Sequence, residues 1–126
     1  QIDLFGSRQS ISVATYPVGG LLHPRVYGTF PRVLESYVRE RHVLTLPEAV
    51  HKMTRLPADR LGLARKGRIE VGADADLCLF DPATFHERGT WQDRDQLAAG
   101  MDYVFVAGVP AIAEGRFTGS RNGEVL

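Results

Sequence analysis

The sequence predicts an α+β fold with helices first and strands after them, and three observations carry that prediction. Between Thr29 and Leu61 apolar residues recur at helical spacing, framed by capping and stop signals. From Ala75 onward, short apolar or β-branched runs are separated by Gly and Pro, the pattern of strands and turns. Over 126 residues, 44% hydrophobic and 24% charged side chains match a soluble globular chain long enough to bury a core. Fifteen basic residues balance fifteen acidic ones, so no net field selects nucleic acid or an anionic membrane as a partner.

Residues 10–15, Ser-Ile-Ser-Val-Ala-Thr, alternate and include β-branched side chains, which predicts a short strand ended by the breakers Pro17, Gly19 and Gly20. Residues 21–28 read as a loop in which Pro24 holds His23 extended. Thr29 is placed to cap a helix whose stripe is Phe30, Val33, Leu34, Tyr37 and Val38. A second helix opens on Thr45-Leu46-Pro47-Glu48, a capping box with proline in the first turn, and turns Ala49, Val50 and Met53 inward. Leu56-Pro57 is expected to break it, leaving a short turn at 58–61 stopped by Gly62.

The character changes at Arg65. Gly67 and Gly72 bracket an expected strand at 68–71, and the apolar run 75–80 predicts a strand covered on both faces, with Cys78 in its core. Asp81-Pro82 ends that strand, and residues 84–100 read mainly as loop. Residues 103–106 and 109–113 form a hairpin around Ala107-Gly108, followed by a glycine-punctuated tail.

Cys78 is the only cysteine, which excludes an intrachain disulfide and suits a reducing, cytoplasmic setting. No stretch approaches the roughly 20 apolar residues a membrane span needs, and the start of the chain has no signal-peptide pattern. The first residue, Gln1, suits a piece of a longer chain. Of four histidines, none pairs at metal-ligand spacing; His51 reads as a helix-surface group, His42 as a C-terminal cap, and His86 has no assigned role. His23 stands apart, in a loop with Arg25, Tyr27 and Thr29, where it either packs the loop or faces a cleft. Asp74 and Asp76 read as turn and edge groups, and no phosphate loop, nucleophile elbow or Ser/His/Asp set can be assembled.

The run His23-Pro24-Arg25-Val26-Tyr27-Gly28-Thr29-Phe30-Pro31-Arg32-Val33-Leu34, the helices of 46–63, the 67–82 segment and the 104–115 hairpin occur in that order. In that order they resemble the C-terminal part of the N-acyl-D-amino-acid deacylases (D-aminoacylases), of the metal-dependent amidohydrolase superfamily. The first run is the more specific element; the later ones are shared by many amidohydrolases. The resemblance implies the end of a (β/α)8 barrel, its last strand and closing helices, plus the C-terminal strands of a small β-sandwich. It divides the chain into 1–64, the barrel strand, site-bordering loop and helices, and 65–126, the sandwich share. It implies zinc in the full-length family, activating water against the amide of an N-acyl-D-amino acid, with none expected in this chain alone. The other metal ligands would lie upstream of Gln1, and Tyr16 stands where the family's aspartate is expected. A phenol with a pKa near 10 does not replace a carboxylate base at neutral pH. No catalytic or metal residue is therefore carried over, and His23, Arg25 and Tyr27 carry over as borders of the substrate site.

Three readings follow. The chain is the C-terminal part of such a hydrolase, inactive alone, whose partner is the missing barrel portion or a second copy. Alternatively it is a free-standing structural or interaction module derived from one, or an unrelated small α+β domain.

Overall fold

The computed structural model describes residues 23–125. The strand expected at 10–15 and Tyr16 lie outside the described residues.

The first helix, α1, spans Arg25–Arg32 and so begins four residues before the expected cap. Pro24 is the N-cap, with φ −50° and ψ −26°, values already close to helical, so the proline starts the helix where a loop was expected. Thr29 is inside the helix, its hydroxyl donating to the Arg25 carbonyl at 2.6 Å rather than capping. Pro31, also inside, supplies no N–H to the ladder. Directly after it the helix continues as a π-helix over Val33–Glu40, and the closing bond runs from the Arg41 amide to the Ser36 carbonyl at 3.0 Å, five residues back. The wider turns keep Val33 and Leu34 buried, whereas Phe30, expected on the same stripe, is 55% exposed.

The capping box forms as read. Thr45 Oγ1 accepts from the Glu48 amide at 3.4 Å, and a Glu48 carboxylate oxygen accepts from the Thr45 amide at 2.8 Å. Helix α2 runs Leu46–Met53, with Ala49 fully buried and Val50 turned to the surface. The break falls at Thr54 (φ −126°, ψ −81°) and not at Leu56-Pro57, which lies inside the next helix, α3, Arg55–Arg60. Pro57 is early enough in α3 that its missing donor costs the helix nothing.

Residues 68–71 form no strand: Ile69 and Val71 are exposed and the segment is held by side chains instead. Arg68 pairs with Asp59 at 2.8 Å, and Lys66 bridges Asp74 and Asp76 at 3.1 and 2.5 Å. Gly67 is required here, since at φ +70° a Cβ would lie 2.7 Å from the Thr54 carbonyl oxygen.

Strands β1 (Leu77–Phe80), β2 (Met101–Val106), β3 (Val109–Ala113) and β4 (Arg116–Phe117) form one antiparallel sheet in chain order. The hairpin turn is the predicted Ala107-Gly108, both residues at positive φ (50° and 78°), as a two-residue turn between twisted strands requires. β1 was expected to be covered on both faces, but among the described residues it is an edge strand on which Cys78 and Leu79 are exposed. A short apolar run does not distinguish an edge from a buried centre. β4 was not expected; the turn at Glu114-Gly115 brings it back onto β3. The core joins Val33, Leu34 and Ala49 to Phe85, with Val38, Leu44, Leu46, Met53, Phe80, Ala98 and Met101 packed around it.

Candidate functional site

The segment 87–94 lies along α1 and the start of the π-helix, held there by side-chain contacts that reach back more than fifty positions. Gly28 is the point of closest approach: a Cβ on it would stand 2.6 Å from the Glu87 Cγ. The Glu87 side chain, 8% exposed, accepts from Arg32 at 3.1 Å, while the Glu87 amide donates to the Glu35 carboxylate at 3.0 Å. Arg39, a little further along the π-helix, donates to the carbonyls of Pro82 and Phe85 at 2.8 and 2.5 Å, anchoring the start of this segment. Arg32, Glu35, Ser36, Glu40, Glu87 and Gly89 together line a polar cleft of about 240 Å³.

At the other end of the segment, His23 packs edge-on against Trp91 with ring centroids 4.6 Å apart. The Arg94 guanidinium lies over the same indole, 5.7 Å from its centroid, and its Nε donates to the Trp91 carbonyl at 2.7 Å. His23 Nδ1 accepts from the Arg25 amide at 3.1 Å, so the neutral ring carries its proton on Nε2. Desolvation, then the Arg25 and Arg32 charges, hold the His23 pKa below its ordinary value; Glu87 opposes them and Arg94 adds to them. The imidazole is thus a neutral hydrogen-bonding group among cations.

Of the residues predicted to border a site, His23 and Arg25 are brought together by that bond, and Tyr27, 39% exposed, follows on α1. His51 and His42 are exposed, and His86 closes the base of the 86–99 loop through paired backbone bonds with Ala99. Asp76 is more than an edge group, since it also accepts from the Ala107 amide at 2.8 Å and so ties the 66–76 segment to the hairpin turn. Glu87, Trp91 and Arg94 were not identified from the sequence, because their segment has no periodicity, and Glu35 falls off the apolar stripe of the first helix. The available signal was the only tryptophan of the chain set in a polar stretch. No group of three or more His, Cys, Asp or Glu side chains among the described residues could hold a metal ion, so a metal centre does not fit residues 23–125. No helix among them is long and apolar enough to cross a membrane.

Residues 22–112 match the model of the amidohydrolase family. D-aminoacylase of Alcaligenes xylosoxydans xylosoxydans is 47% identical over 104 residues, which cover 82% of this chain and 22% of that protein. N-acyl-D-glutamate deacylase of the same organism is 51% identical over 86 residues, 68% of this chain and 18% of its own. Among solved structures, a D-aminoacylase mutant in complex with copper chloride superposes with a TM-score of 0.79 at 44% identity, over 82% of this chain and 22% of that one. N-acyl-D-glutamate deacylase from Bordetella bronchiseptica, complexed with zinc and a phosphonate inhibitor, gives 0.69 at 43% identity, over 75% and 21%. The chain therefore spans about a fifth of the length of the relatives it matches.

Proposed function

Because the chain belongs to the amidohydrolase family, we propose that it is the C-terminal part of a metal-dependent hydrolase that cleaves the amide of N-acyl-D-amino acids to a carboxylate and a free D-amino acid. The observation that carries this is the agreement of sequence and shape with D-aminoacylase, 47% identity over 104 residues and a TM-score of 0.79. In this reading 1–64 supplies the last barrel strand, the site border and the closing helices, and 65–126 supplies the C-terminal strands of a β-sandwich. His23, Arg25 and Tyr27 border the substrate, and the cations about His23 favour an anionic group such as the substrate carboxylate.

The metal, zinc in the proposal, needs donors beyond the described residues, among which no group of three or more ligands could hold it. The chain alone is accordingly proposed to be inactive. Its natural partner is the remaining barrel portion or a second copy, a choice supported by the exposed Leu79 and Phe117 of the sheet. A cytoplasmic setting completes the reading, supported by the lone free thiol of Cys78.

Mixing this chain with a polypeptide carrying the preceding barrel strands tests the reading. The expected result is co-elution in gel filtration and recovered release of D-amino acid from an N-acyl-D-amino acid, with neither part active by itself. A chain that stays monomeric and restores no hydrolysis rejects it in favour of a free-standing module.

A further inference from the structure

We propose that Trp91 is a positioning residue for substrate binding, setting the His23–Arg25 turn at the start of α1 through its grip on the His23 ring. The inference rests on the reading that this turn borders the substrate site. Three observations independent of that reading define the grip. The indole is held on one side by the His23 ring at 4.6 Å and on another by the Arg94 guanidinium at 5.7 Å, whose Nε also bonds the Trp91 carbonyl. The gripped ring fixes the backbone beside it, since His23 Nδ1 accepts the amide of Arg25, the first residue of α1. The chain next to Trp91 runs beside the same turn, since a Cβ built on Gly89 would stand in ordinary van der Waals contact with Pro24, 3.5 Å from its Cβ.

Trp91 is nonetheless 60% exposed, so the indole contributes little to the core. A ring held from two sides, yet largely uncovered, serves to place its neighbours more than to exclude water. Small displacements of a substrate-binding group carry large kinetic effects, so the loss of the ring falls on substrate capture.

Trp91 is the only tryptophan, so its fluorescence reads the contact in this chain without any activity. Acidification should quench it in one transition below the ordinary imidazole value of about 6.5, and His23→Gln should abolish that transition. An emission indifferent to pH overturns the grip. In the enzyme reconstituted with its barrel portion, Trp91→Ala should raise KM for an N-acyl-D-amino acid about tenfold with kcat within about twofold, and Trp91→Phe should stay within about twofold of the parent in both. Circular dichroism of Trp91→Ala matching the parent would separate this from misfolding. Unchanged kinetics in Trp91→Ala, or a Trp91→Phe enzyme equally impaired, overturns the positioning role. A parent with no hydrolysis would instead remove the functional reading, and the substrate role with it, whatever the fluorescence shows.

Discussion

The helical stretch and the sheet stretch of this chain are stabilised in different ways. Helices α1 to α3 and the π-helix place Val33, Leu34, Ala49 and Ala58 in the interior, each at 5% exposure or less. Among the described residues the second half contributes one large side chain of that kind, Phe85, and it comes from the turn after β1 rather than from a strand. The strands satisfy their backbone groups through the antiparallel ladder, but a ladder does not cover side chains. Leu79 and Phe117, on β1 and β4, are accordingly 57% and 67% exposed. Helix formation and core formation coincide here in the first half, while the sheet exists largely as hydrogen bonds and turn geometry.

Two features join the halves. Phe85 enters the helical core, tilted against Phe80 with centroids 5.0 Å apart. Arg39 then holds the backbone around it through the Pro82 and Phe85 carbonyls. The π-helix that carries Arg39 also carries Glu35, which accepts the Glu87 amide, so one helical segment anchors both ends of 82–87. The polar cleft and the His23–Trp91 contact depend on that anchoring, because both are built on the residues that follow.

The largest expected effect contrasts the two halves directly. Leu34→Ala should lower the unfolding free energy by about 3 kcal/mol, the usual cost of emptying a fully packed leucine site, whereas Leu79→Ala should cost less than about 1 kcal/mol. Urea titrations of the two variants give the comparison, and equal losses would mean that β1 is covered in solution. An intermediate effect is expected at the seam. Arg39→Met removes two charge-assisted bonds and should cost about 2 kcal/mol, with faster amide hydrogen exchange in 82–87 and little change in α2. Loss of protection spread evenly over the molecule would remove the special status of this seam.

The smallest effect concerns the sheet side alone. The Ala107 amide and then Lys66 hold the Asp76 carboxylate below its ordinary pKa. A depressed carboxylate contributes stability above its unfolded value, near 3.9, and that contribution fades as pH falls through the folded pKa. Asp76→Asn should therefore flatten the acid limb of a stability profile below about pH 4. His23 is depressed as well, so its contribution is complete above about 6.5 and declines as pH falls below that value. The two limbs are separable by their position on the pH axis. An unchanged acid limb in Asp76→Asn would show that the tie to the hairpin turn adds nothing.

Local signals made part of this fold legible. The Thr45–Glu48 box, the stop at Gly62 and the Ala107-Gly108 hairpin are short-range events, decided by groups within a few residues of each other, and they formed as read. The start of α1 was misplaced because Pro24 can end an extended segment or begin a helix, and its local chemistry allows both. Residues 68–71 alternate like a strand, but among the described residues no strand pairs with them, and ion pairs from Asp59 and Glu70 hold the segment instead.

By itself, then, the sequence determined the helix caps, the tight hairpin and the resemblance to a hydrolase family, all of which depend on residues close together or on an order of motifs. The tertiary structure decided the rest: the edge position of β1, the entry of Phe85 into the helical core, and the meeting of His23 with Trp91 and of Arg32 with Glu87. The His23–Trp91 and Arg32–Glu87 partners are separated by more than fifty positions, and no periodicity or composition encodes a contact made by an irregular segment. Only the closing of the 82–94 stretch against α1, with Gly28 small enough to admit Glu87, brings them within reach.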